Sequence, residues 1–73
     1  MTSYAAIYRL RPGERYNLVL DDGPGAGTPQ EQRRRLIAAY ASWAKREGWY
    51  GRPDCPRIRT SIRELCIEVT REK

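Results

Sequence analysis

Seventy-three residues with a formal net charge of +5 and a pI near 9.7 read as one small basic domain spanning 1–73, near the size where a single core barely suffices. No apolar run is long enough to cross a membrane and no charged-then-apolar leader opens the chain, so a cytoplasmic setting is expected, with no membrane partner. Histidine is absent and Cys55 and Cys66 are the only cysteines, which excludes the usual four-ligand zinc sites and predicts two free thiols in a reducing compartment.

Five Leu, five Ile and two Val, with no Phe, leave seven Tyr and Trp to supply much of the packing volume. Each of those brings a polar atom that needs a partner or water. A core of this kind holds little stability in reserve, and a homodimer or a stabilising partner would fit it.

Tyr4 to Leu10 and Arg15 to Leu20 read as two strands of an N-terminal β-hairpin around Arg11-Pro12-Gly13-Glu14. Proline presets φ at the first central turn position and glycine supplies positive φ at the second. Setting Leu10 opposite Arg15 brings Ile7 to Leu18 and Ala5 to Leu20, and these residues with Tyr16 line one face. The other face carries Tyr8, Val19, Leu10, Ala6 and Asn17 and is amphipathic. Tyrosines on a sheet can stack bases, but the RNA-recognition-motif signature is missing, and packing or protein contact is the plainer use.

Asp21-Asp22-Gly23-Pro24-Gly25-Ala26-Gly27 reads as a flexible Gly-rich connector over 21–27. Its place before a helix invites a phosphate-binding reading. It lacks the Gly-Lys-Ser/Thr ending of a P-loop, and two aspartates at its mouth would repel phosphate.

Thr28 to Gly48 carries a helix with both ends marked. Thr28, Pro29 and Glu31 form a capping box with proline at the first helical position, and Gly48 with Trp49 beyond it suits a Schellman ending. At 100° per residue, Leu36, Ile37, Tyr40, Trp43 and Ala44 point to the core. Arg34, Arg35, Ser42, Lys45 and Arg46 point outward, with Ala38 and Ala39 as a low floor between them. Solvated arginines are the ordinary explanation for such a face. Two features favour a binding role: the Arg33–Arg35 run sits near the positive end of the helix dipole, and only Glu31 and Glu47 offset the strip. Residues 28–52 hold six basic against two acidic side chains, whereas residues 1–27 balance at three each.

Trp49-Tyr50-Gly51-Arg52-Pro53-Asp54-Cys55-Pro56 reads as an ordered turn segment. Trp49 is expected to close the helix, while Tyr50 and Arg52 are of residue types that dominate binding hot spots. Farther on, Leu65, Ile67 and Val69 alternate as a strand does, and Ile58, Thr60 and Ile62 alternate in the opposite parity, so a bulge or break is required near Arg63-Glu64. Ile62, Leu65, Cys66 and Val69 also fit a helical stripe, with Ser61 and Glu64 as its cap. The strand reading is preferred because a helix would leave Ile67 in solvent.

The expected fold is therefore α+β: an N-terminal β-hairpin, one central amphipathic helix and a C-terminal strand (ββαβ), the antiparallel sheet packed on one helix. No catalytic nucleophile with a base, no convincing carboxylate pair and no cofactor motif is present, so the chain reads as a non-enzymatic binding module. The candidate contacts are Arg34, Arg35, Lys45, Arg46, Tyr50 and Arg52, directed at nucleic-acid phosphates or at an acidic protein surface. In overall character (small, cofactor-free, rich in Arg and Tyr) the chain is similar to accessory proteins of phages and mobile elements, anti-CRISPR proteins among them. That class shares no sequence signature, so the likeness attaches to no residue; it implies an inhibitor acting by direct contact with a larger complex.

Overall fold

A computed structural model describes residues 4–73. One turn of helix, α1 (Ala5–Tyr8), precedes strand β1 (Arg15–Val19), the main helix α2 (Pro29–Arg46) and strands β2 (Ile58–Ile62) and β3 (Cys66–Arg71). The expected class holds: three antiparallel strands in the order β1-β3-β2 pack on one main helix.

The ends of α2 form as the residues dictate. Thr28 Oγ1 accepts from the Glu31 N–H and Glu31 Oε1 accepts from the Thr28 N–H, each at 3.2 Å. These two contacts satisfy two amides that the first helical turn leaves without partners. At the far end the Trp49 N–H donates to Ala44 at 2.9 Å and the Gly48 N–H to Lys45 at 3.1 Å. Gly48 has φ +81°, the left-handed position this pair of bonds requires.

The N-terminal hairpin is not formed. Tyr4 to Leu10 folds instead around α1, because a helical turn brings Tyr4, Ile7 and Tyr8 to one side, whereas a strand would set Ile7 and Tyr8 on opposite faces. Ile7 is thereby fully buried, and the Tyr8 ring stacks on Trp43 at 5.2 Å with the planes 1° apart. The strand that pairs with β1 comes from the other end of the chain: Arg15 lies opposite Thr70, Asn17 opposite Glu68 and Val19 opposite Cys66. The Pro12-Gly13 turn does form, with the Glu14 N–H donating to Arg11 at 3.0 Å and Gly13 at φ +87°, but it joins α1 to β1.

The required break near Arg63-Glu64 is a hairpin turn. Arg63 donates its N–H to the Cys66 carbonyl at 2.7 Å, and the chain reverses so that Thr60 faces Val69 and Ser61 faces Glu68. The reversal explains the change of parity. Ile7, Leu18, Leu36, Tyr40, Ile67 and Val69 form the core, flanked by half-buried Tyr4, Tyr8, Leu10, Leu20, Trp43 and Ile58. Complete burial of a side chain such as Leu36 or Ile67 contributes about 1.5–3 kcal/mol.

The 21–27 connector is tied to α2. Gln32 accepts from the Asp21 N–H at 2.9 Å and donates to the carbonyls of Asp21 (2.8 Å) and Gly27 (3.1 Å). Arg35 donates to the Ala26 carbonyl, and Ala26 is buried.

Candidate functional site

On α2, Leu36, Tyr40 and Ala44 are buried and Trp43 is half-buried, as the periodicity requires. Ile37 is the exception: it is 44% exposed and belongs to the flank of the helix, about 60° from the centre of the buried stripe. Arg34, Ala38, Ala41, Ser42 and Lys45 are all exposed. Arg34 and Lys45, eleven residues apart, return to within about 20° of each other around the axis and lie about 16 Å apart along it. Between them the surface is made of Ala38, Ala41 and Ser42, with no carboxylate. Arg35 and Arg46 form a second, parallel line, also exposed.

The six expected contact residues fall into three groups. Arg34 and Arg46 make no salt bridge among the described residues. Arg35 is partly committed to the Ala26 carbonyl. Lys45, Tyr50 and Arg52 gather at the helix exit, where Lys45 Nζ lies 5.8 Å from the centre of the Tyr50 ring, within the range of cation–π attraction. Tyr50 is 74% exposed. Arg52 stacks on Trp49 at 4.9 Å and pairs with Asp54 through both Nε and Nη2 at 3.1 Å. Its charge is therefore matched locally, which makes it a weaker candidate than Lys45.

Two ionisable groups are shifted. Glu31 is held below its ordinary value of 4.5, first by the Thr28 backbone amide and hydroxyl and then by the charges of Arg35 and Arg34. Tyr40 is pushed above 10.0 by burial, against the opposing charge of Arg71. The Tyr40 hydroxyl is buried without a hydrogen-bond partner, while Arg71 Nη1 donates to the Leu10 carbonyl at 3.1 Å and so ties the end of α1's connector to β3. Cys55 and Cys66 are free and half-buried. No helix among the described residues is long and apolar enough to cross a membrane.

The expected tyrosine face of the sheet does not exist. Tyr8 packs between Tyr40 and Trp43, with ring centres at 6.1 and 5.2 Å. The uncovered sheet face is polar instead. Arg15 and Arg59 stand on either side of Thr70 and border a shallow concavity of about 790 Å³ with Ser61, Glu68, Glu72 and Lys73. Sequence reasoning missed this face. The alternation of Arg57, Arg59, Ser61 and Arg63 was a usable signal for half of it, but Arg15 joins only through the long-range register. Two of its cations are offset: Arg59 lies 3.8 Å from Glu72 and Arg63 lies 3.6 Å from Glu68. In comparison with known proteins, no family model, curated protein or solved structure matches this chain.

Proposed function

We propose that the exposed face of α2 binds the phosphate backbone of nucleic acid, alone or within a nucleoprotein assembly, and that the protein is a binding module rather than an enzyme. The observation that carries this reading is the line from Arg34 to Lys45: two basic ends that make no salt bridge among the described residues, separated by a floor of Ala38, Ala41 and Ser42. A span of about 16 Å along the helix exceeds the roughly 12 Å width of the B-DNA major groove, so the two ends can meet phosphates on opposite walls. Contacts of this kind supply affinity and orientation and little base selectivity.

The test is the salt dependence of binding to random duplex, on protein freed of carried-over nucleic acid. Four phosphate contacts, from Arg34, Arg35, Lys45 and Arg46, give a log–log slope of about −3.6, and Arg34→Gln with Arg46→Gln reduces its magnitude by about 1.8. A slope unchanged by the pair, or no binding at physiological salt, refutes the reading.

A second reading rests on Tyr50. An exposed tyrosine with Lys45 over its ring is the kind of rigid, amphipathic anchor that protein interfaces use. In that case the protein is an inhibitor of the phage and mobile-element kind, docking on an acidic surface of a larger complex. Tyr50→Ala then removes most of the affinity in a pull-down while binding to oligonucleotides remains negligible. An even spread of small losses over many substitutions argues against it.

A further inference from the structure

β2 is an edge strand, and its free side can be worked out group by group. The Glu72 N–H donates to the Arg57 carbonyl at 2.9 Å and the Arg63 N–H to the Cys66 carbonyl at 2.7 Å. Antiparallel alternation then turns the N–H and C=O of Arg57, Arg59, Ser61 and Arg63 toward β3. Those of Ile58, Thr60 and Ile62 point away from it, and no backbone group among the described residues meets them. Natural sheets usually guard such an edge with charges, proline or a covering element. Here the three outward-bonding residues are all uncharged and β-branched.

We propose that β2 pairs antiparallel with β2 of a second copy of this chain, about a two-fold axis through Thr60, to give one continuous six-stranded sheet. The proposal does not depend on what α2 binds. In this register Thr60 faces Thr60, and Ile58 faces Ile62 of the second copy, so the three outward-bonding residues exchange about six backbone hydrogen bonds. The side chains on the open sheet face are complementary as well. The row Asn17–Glu68–Ser61 of one copy runs on into Arg59–Thr70–Arg15 of the other, so a carboxylate-bearing half abuts a guanidinium-bearing half. Arg59 is 76% exposed at its side chain, so it can turn from Glu72, 3.8 Å away in the single chain, toward Glu68 of the second copy. The two-fold also sets Arg57 opposite Arg63 of the second copy, a like-charge pair that occurs twice, and Arg63 already lies 3.6 Å from Glu68.

The other edge lacks this match. A two-fold through Asn17 of β1 sets Arg15 opposite Val19 and runs two Glu68 rows end to end.

Sedimentation equilibrium on the full chain, over about 10 to 500 μM, tests the proposal because a self-association shifts with concentration. The expected result is a mass approaching twice the chain's 8.5 kDa. Thr60→Pro removes an N–H that points out of the sheet, a place where an edge strand tolerates proline, and should leave the protein folded and monomeric. Arg59→Glu sets two carboxylates facing along the shared row and should weaken the dimer by about tenfold or more; should Thr60→Pro fail to fold, this exposed substitution carries the test. Amide exchange reads the edge directly: Ile58, Thr60 and Ile62 should exchange at least about tenfold more slowly in the dimer, while Arg15, Asn17 and Val19 are unchanged. A monomer at every concentration, a dimer that survives Thr60→Pro or is indifferent to Arg59→Glu, or protection on β1 instead, overturns it.

Discussion

The outer face of α2 and the open face of the sheet are both rich in arginine, yet they treat their charges in opposite ways. On the sheet, neighbouring strands and the hairpin bring Glu72 to Arg59 and Glu68 to Arg63. On α2, positions 34, 35, 45 and 46 are all basic, and helical spacing sets only Glu31, in the first turn, near Arg34 and Arg35. Glu31 and Glu47 lie only at the ends. Arginine count alone therefore says little about a surface; what matters is whether the backbone sets a carboxylate within reach. The unbalanced field belongs to α2.

Destroying the platform that holds both faces has the largest expected effect. Leu36→Ala empties a fully buried position beneath α2 and should cost about 2–5 kcal/mol, read as a lower urea midpoint with the slope of unfolding retained. Next comes the comparison itself. Replacing Arg34, Lys45 and Arg46 together by Gln should weaken oligonucleotide binding steeply at low salt, whereas Arg15→Gln with Arg59→Gln should leave it within about twofold, since both lie on the sheet face that α2 does not cover and Arg59 already lies near Glu72. Equal losses from the two sets would erase the distinction between the faces.

A smaller effect is expected at the helix start. Thr28→Ala removes the hydroxyl that accepts the Glu31 N–H and should cost about 1 kcal/mol in thermal or urea unfolding. The smallest effects are those of pH. The pKa of Glu31 is lower in the folded than in the unfolded chain, so its contribution is present above 4.5 and is lost as pH falls below that value. Tyr40 has the opposite sign: its raised pKa favours the fold below 10.0, and stability declines as pH climbs beyond it. Unfolding curves of Thr28→Ala and Tyr40→Phe against the parent across both limits should isolate each slope.

Much of this could be read from residues alone, and the parts that could not share a cause. The capping box, the glycine stop and the buried positions 36, 40 and 44 involve groups within a few residues of one another, so their chemistry is complete inside the segment. Ile37 was misassigned because periodicity defines a stripe but not its width, which depends on how far the neighbouring elements wrap around α2. The hairpin of Tyr4 to Leu10 with Arg15 to Leu20 was self-consistent in register and still wrong. Tyr8 found a better place against Trp43, thirty-five positions away, and β1 paired with β3 instead.

The candidate site divides along the same line. Arg34, Lys45 and Arg46 were legible because a helix displays its own outer face. The commitment of Arg35 to the Ala26 carbonyl and of Arg52 to Asp54 and Trp49 required coordinates. So did the polar sheet face and the open edge of β2. From the sequence alone came the identity and limits of α2, the Pro12-Gly13 turn, the strand character of the C-terminal stretch and the α+β class. Each of these rests on local dihedral preference, local hydrogen bonds or side-chain period. The tertiary structure alone decided which strands pair, that the first segment is helical, and which arginines remain unpartnered. Strand pairing is a long-range choice, settled by competition among segments for the same edge and the same core, and no single segment carries the outcome.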